Sequence, residues 1–280
     1  MLLDNGSHEH NHVPISGLQK PLQSDCFIQA CQSHNELPTD DVLPQVEDEL
    51  LEKHRLPLEQ LFKRYSAQDL FAVYILHRHF KVPVGSNLVG RTEVFDHRRY
   101  YWTRIVANDN ISSGEACGRK FVYDEQQGWL PCEFHEGLAP DLSKVDTGFF
   151  PEFANYLTKH KLTSTFGLEY IVPELLLVNM FEITLSNGVL VLVESAHVSM
   201  GDSVKVTTSL GWPSCRSVER RTDCWKNPDG SHKEVNVDTH KSYNSFNDVI
   251  GLVENQLSDY LPGSQSFLEN RDKAAPVDLE

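Results

Sequence analysis

Three residues with metal-ligand chemistry, Cys215, Cys224 and His232, gather around one turn signal, Asp223-Cys-Trp-Lys-Asn-Pro-Asp-Gly-Ser-His232. Asn227-Pro228-Asp229-Gly230 has the composition of a type I turn followed by a left-handed glycine, so the chain should reverse there. In that register Lys226 opposes His232, and side-chain alternation puts Cys224, Lys226 and His232 on one strand face. Thiolate and neutral imidazole suit zinc, and a structural zinc site normally takes four ligands. The fourth would come from His77, His79, His240 or Cys117. The Cys-x8-Cys-x7-His spacing matches no standard zinc knuckle. Ordinary packed thiols are therefore the competing reading, and zinc is the one cofactor the sequence suggests without requiring it.

His77-Arg78-His79 is the second candidate. The apolar run Leu70, Phe71, Val73, Tyr74, Ile75, Leu76 surrounds a helical circumference, which predicts a buried helix over Leu70–Phe80. On such a helix His77 shares the face of Val73 and Tyr74, while His79 points about 200° away. His77 is then the candidate proton carrier, against the plainer role of a core histidine donating to a backbone carbonyl. Glu194 ends the stripe Phe181, Ile183, Leu185, Leu190, Leu192, where desolvation would raise a carboxyl toward general-acid range. That stripe assumes a two-residue turn at Asn187-Gly188, with Ser186 opposite Val189. Glu182 falls on the opposite face, where with Thr184 it can line a ligand cavity or simply face solvent. His8, His10 and His12 alternate near the N-terminus and are a further possible chelating set, against the plainer reading of a solvated tail.

The one concentrated basic and aromatic run is His97-Arg-Arg-Tyr-Tyr-Trp-Thr-Arg104. Arg99 or Arg104 can fork onto a carboxylate or phosphate while Trp102 packs on a planar ligand. Edge-strand charges that prevent aggregation are the bland alternative.

The elements that must position these residues read as an α+β fold. N-terminal helices are expected over 46–56 and 57–65, and a central antiparallel sheet is built from hairpins. Its strands are 87–94 with 99–106, 119–123 with 129–134, and 175–185 with 189–196, followed by 203–210. An amphipathic helix over 149–161 interrupts the strands, and a C-terminal amphipathic helix spans 243–261. Residues 1–44, broken by Pro14, Pro21, Pro38 and Pro44, read as a largely disordered arm. Residues 45–262 form one domain, and 263–280 a flexible tail.

The formal charge of −15 over 280 residues disfavours nucleic acid and anionic membranes as partners. No apolar run reaches the length of a membrane helix, and six irregularly spaced cysteines do not make a disulfide framework. A cytoplasmic setting is the expectation. Leu76-His-Arg-His-Phe80, Gly128-Trp-Leu-Pro-Cys-Glu-Phe134 and Glu182-Ile-Thr184, followed by Cys215, Cys224 and Gly230-Ser-His232, resemble landmarks of a filamentous-fungal protein family. The resemblance covers roughly residues 66–235 and implies an intracellular protein of specialised metabolism, with no activity attached.

Two functions compete at this level. One is a pocket for an anionic small molecule between the sheet and the Leu70–Phe80 helix. There Arg99, Arg104, Trp102 and Glu182 bind, and His77 or Glu194 transfers a proton. Without a nucleotide loop or redox fingerprint, this suggests a cofactor-independent isomerase, cyclase or lyase. The other is a non-catalytic interaction protein whose Cys/His hairpin holds zinc as a folding staple.

Overall fold

The computed structural model describes residues 14–39, 47–198, 204–227, 232–235, 237 and 245–258. The elements are α1 (Ser24–Glu36), α2 (Glu47–Arg64), β1 (Phe71–Ile75), β2 (Ser86–Phe95), β3 (Arg98–Ala107), β4 (Ala116–Asp124), β5 (Gly128–Glu136), α3 (Phe149–His160), β6 (Phe166–Tyr170), β7 (Met180–Leu185), β8 (Val189–Glu194), β9 (Val204–Gly211), β10 (Arg220–Lys226), β11 (Glu234–Val235) and α4 (Phe246–Ser258). The strands pair in the order β10-β9-β1-β6-β4-β5-β2-β3-β8-β7, and β10 pairs back onto β7. Ten strands therefore close into a barrel, and the expected α+β fold with an open sheet of hairpins is corrected. No helix among the described residues is long and apolar enough to cross a membrane.

The correction begins at Leu70–Phe80. This segment is no helix: Phe71–Ile75 is β1, a strand in which every residue is buried. It pairs with β6 on one side and β9 on the other. A strand covered on both faces is apolar at every position, so its pattern mimics a helix that is apolar all round. Phe71, Val73 and Ile75 belong to the same buried cluster as Leu58, Leu61 and Phe62 of α2 and Phe149, Phe150 and Phe153 of α3. Tyr74 points the other way, with its hydroxyl donating to the His77 carbonyl at 2.8 Å.

Register sorts the barrel into two faces. Outward side chains make apolar beds for the helices. Phe134 and Val89 lie in the cluster of α1's Phe27 and Ala30, and Tyr100, Trp102, Phe181, Ile183, Val191 and Val193 in that of α4's Phe246, Val249 and Ile250. Inward positions include a polar set. Pairing puts Glu169, Lys120 and Glu133 on one lumen face, and Tyr101, Glu182 and Cys224 on its continuation. Gly90 sits opposite Thr103, where an added Cβ would collide with the Tyr101 ring, so this glycine makes room for an aromatic in the lumen.

The β7–β8 turn carries a further correction. Leu185, not Ser186, pairs with Val189, and Gly188 sits at φ +82°. A loop of three residues replaces the expected two, and the one-residue slip moves every β8 side chain to the other face. Phe181, Ile183 and Leu185 therefore accompany Val189, Val191 and Val193 outward, while Glu182 and Thr184 face the lumen with Leu190 and Leu192.

The N-terminal segment also contributes to the packing. Cys26, Phe27, Ala30, Cys31 and His34 of α1 are buried, and Asn35 bonds Val82 through both its amide nitrogen and its oxygen. The two helices expected over 46–65 are one, α2, with Pro57 inside it. His8, His10, His12, the Pro228-Asp229-Gly230 turn and the 263–280 tail lie outside the described residues.

Candidate metal centre

Where β7 changes partner, four ligand-type side chains converge. The open edge of β7 is covered first by β10, with Cys224 beside Glu182, and then by β11, with Glu234 beside Thr184. Glu182 thus points into the lumen at the fork between β10 and β11, and His232 enters the same place two residues before β11. The chain after β1 supplies the other two. Leu76 N–H bonds the Thr165 carbonyl at 2.8 Å, Arg78 N–H bonds the Pro38 carbonyl at 2.9 Å, and the Arg78 guanidinium bonds the Leu37 carbonyl. Held extended in this way, the segment turns His77 and His79 to a common side, because alternate residues of extended chain share a face.

The result is His77, His79, Glu182 and His232, each offering one ligand atom, all within 4.8 Å of one another. The three imidazole centroids form a nearly equilateral triangle with sides of 4.9, 4.9 and 5.1 Å. Metal–nitrogen bonds of about 2.0–2.1 Å, with the ring centre roughly 1.1 Å beyond, would put three tetrahedrally disposed imidazoles about 5.2 Å apart. The triangle therefore already has the size that an ion requires.

Tautomer and charge fit as well. His77 Nδ1 lies 2.7 Å from the Ile75 carbonyl, which can only accept, so Nδ1 carries the proton and Nε2 offers a lone pair toward Glu182. A backbone carbonyl fixing the far ring nitrogen is the usual outer support of a metal-ligating histidine. Burial pushes the His77 pKa down, with Glu182 opposing, so the ring is neutral and able to ligate. For Glu182, burial acts to raise the pKa. The hydrogen bond from His79 and the charges of His79 and Lys120 override it and hold the carboxyl well below its usual range. His79 Nε2 lies 2.8 Å from Glu182 Oε1, and His77 Nε2 lies 3.9 Å from the same oxygen. Three of the four residues also border a cavity of about 10 Å³, shared with Lys120, Cys132 and Leu190.

A charged network occupies the lumen beside this group. Arg119 reaches Glu133 through one nitrogen and Glu169 through the other, the latter at 2.7 Å. Its guanidinium lies 4.0 Å from the Tyr101 ring centre. Lys120 bonds Glu133 at 3.1 Å and lies 4.3 Å from the Tyr74 ring centre. Ser209 donates to Glu169, and Arg220 approaches the same carboxylate at 4.0 Å. Burial works against charge in Glu133, but Lys120 and Arg119 outweigh it and keep the carboxyl ionised, its pKa lowered.

The residues singled out in the sequence divide. His77, Glu182 and His232 meet in the cluster. Cys215 is exposed, Cys224 is buried on β10 beside Glu182, and neither belongs to the ligand group found among the described residues. Glu194 bonds Arg99 at 3.0 Å at the end of β8, and Arg99 also donates to the Glu174 carbonyl. Trp102 faces outward with Arg104 and Arg91 at 4.7 and 5.1 Å from its ring centre, and Arg104 pairs with Glu136 at 2.5 Å. Arg99, Arg104 and Trp102 thus engage neighbours other than Glu182.

His79 was ranked below His77, and kept only as one of several candidate fourth ligands, because a helix would have turned it away from His77. As extended chain, His-x-His is itself the signal. Arg119, Lys120, Glu133 and Glu169 carried a subtler one, charged residues in the middle of strands that otherwise read as buried. Comparison of the chain with protein-family models, with curated proteins and with solved structures finds no match.

Proposed function

We propose that this protein is a metalloprotein that binds one divalent transition-metal ion inside its barrel, through His77, His79, Glu182 and His232. The observation that carries this reading is the imidazole triangle of 4.9, 4.9 and 5.1 Å closed by a buried carboxylate. Three imidazoles and one carboxylate suit zinc, iron, copper or nickel and disfavour magnesium or calcium, which take oxygen ligands. The ligands come from the segment after β1, from β7 and from the chain before β11, so the ion would tie together segments remote in sequence. Four protein ligands close a tetrahedral zinc, as in structural sites, whereas iron, copper or nickel accepts a fifth ligand, for which the adjoining cavity leaves room.

Six free cysteines, five of them buried, support a reducing, intracellular setting for the same reading. The Cys/His staple is replaced in it by a His/Glu centre. An isomerase, cyclase or lyase acting on an organic substrate at His77 has little support from a cavity of about 10 Å³.

The test is metal stoichiometry. Protein stripped with a chelator and dialysed against a mixture of divalent ions should retain one equivalent of a transition metal. The double variant His77→Ala/His79→Ala should retain none while keeping the wild-type circular dichroism. Wild-type protein that retains no metal would refute the proposal.

A further inference from the structure

The cavity beside the four ligands, about 10 Å³ in volume, holds roughly one water-sized group. What that group is follows from charge. In the lumen, among the described residues, Arg119, Lys120 and Arg220 face Glu133, Glu169 and Glu182, all buried. These six already balance. Ligating imidazoles are neutral and add nothing, so a divalent ion would bring two uncompensated positive charges into a region shielded from water. Isolated charge is costly there, and an anion entering with the ion offsets part of it. Lys120, whose ammonium lies between Glu133 and the Tyr74 ring, lines the cavity and adds a second positive contact. Leu190 closes another side with an apolar wall, and is itself buried.

We infer that a fifth coordination position of the metal, facing this cavity, takes a monovalent anion of about the size of a water molecule, hydroxide or fluoride, held between the metal and Lys120. This rests on the metal-binding reading and goes beyond it by naming the ligand class. Anionic organic molecules are excluded by size, not by charge. Leu190 and the Lys120–Tyr74 contact set that limit, since both occupy space that a carboxylate-bearing substrate would need.

The experiment uses the full chain loaded with cobalt(II), whose visible spectrum reports its coordination. Fluoride should shift the spectrum saturably, whereas acetate and imidazole should not. Lys120→Met should weaken fluoride about 10- to 100-fold, the scale of one lost bond to a charged group, and Lys120→Arg should restore most of it. Leu190→Ala should admit acetate without weakening fluoride. A one-to-one cobalt complex whose spectrum ignores fluoride would overturn the anion site and leave the metal site standing. Acetate or imidazole binding wild-type protein as well as fluoride does would overturn the size limit. Failure to take up cobalt at all would overturn both.

Discussion

Glu182→Gln separates a metal ligand from a buried structural acid. In the free protein the carboxylate accepts from His79 at 2.8 Å, and a glutamine oxygen in the same place can accept the same bond. The side chains are nearly isosteric, and Lys120 keeps its nearer partner Glu133 at 3.1 Å. Stability without metal should therefore change modestly, by about 1–2 kcal/mol. With metal the outcome differs sharply. Loss of an outer-sphere support alone costs about 10- to 100-fold in affinity, and loss of the one anionic ligand should reach at least the upper end of that range. At a free metal concentration of 100 times the wild-type Kd, binding stabilises the wild type by about 2.7 kcal/mol. On the scale of roughly 2–4 °C per kcal/mol for chains of this size, Tm rises by about 5–10 °C. In the variant the same concentration only equals Kd, so the gain falls to about 0.4 kcal/mol and a rise of less than about 2 °C. Thermal denaturation followed by circular dichroism, with and without metal, measures both numbers. A variant that keeps the full metal-induced rise would refute the assignment of Glu182 as a ligand.

Arg119→Met removes the cation shared by Glu133 and Glu169, and should cost about 3–5 kcal/mol in equilibrium urea unfolding because two buried carboxylates lose a partner. A loss below about 1 kcal/mol would mean that Lys120 and Arg220 suffice. His34 and His135 have pKa values pushed down to about 4, chiefly by burial. The unfolded chain takes up these protons below about pH 6.5, the folded chain only near 4, so stability is full above 6.5 and falls as pH drops toward 4. His34→Gln should reduce the slope of stability against pH in that window by about 1.4 kcal/mol per unit, and an unchanged slope would contradict the burial argument. Phe27→Ala should cost about 3–5 kcal/mol, since its ring packs 5.1 Å from that of Phe134 and anchors α1 to the barrel. A negligible loss would show that α1 is dispensable.

Much of the strand content was legible, because hairpins announce themselves through local turn chemistry. The β2–β3 and β4–β5 pairs lie where alternation and turn residues put them, with Asp96, His97 and Gly128 taking the positive φ values that tight turns need. Barrel closure was not legible. It depends on the parallel pairing of β10 with β7, contacts some forty residues apart that leave no periodic trace. The site suffered from two local ambiguities with large consequences. Reading Phe71–Ile75 as helix separated His77 from His79, and a two-residue turn at Asn187-Gly188 turned Glu182 away from Leu190 and Leu192. Period and register each decide which side chains meet, and in both cases a strand buried on two faces erased the pattern that would have decided them. His232 was singled out as a candidate ligand in partnership with cysteines, whereas the ligand-type side chains gathered around it are His77, His79 and Glu182. Its actual neighbours come from chain more than a hundred residues earlier and some fifty residues earlier.

The most direct test of the metal centre is the X-ray absorption spectrum of the metal-loaded protein at the metal edge. The geometry predicts a first shell of nitrogen and oxygen at about 2.0–2.2 Å, with outer-shell scattering from three imidazole rings. A sulfur shell at about 2.3 Å, the distance of a bound thiolate, would place the metal on the cysteines and contradict the His77, His79, Glu182 and His232 assignment.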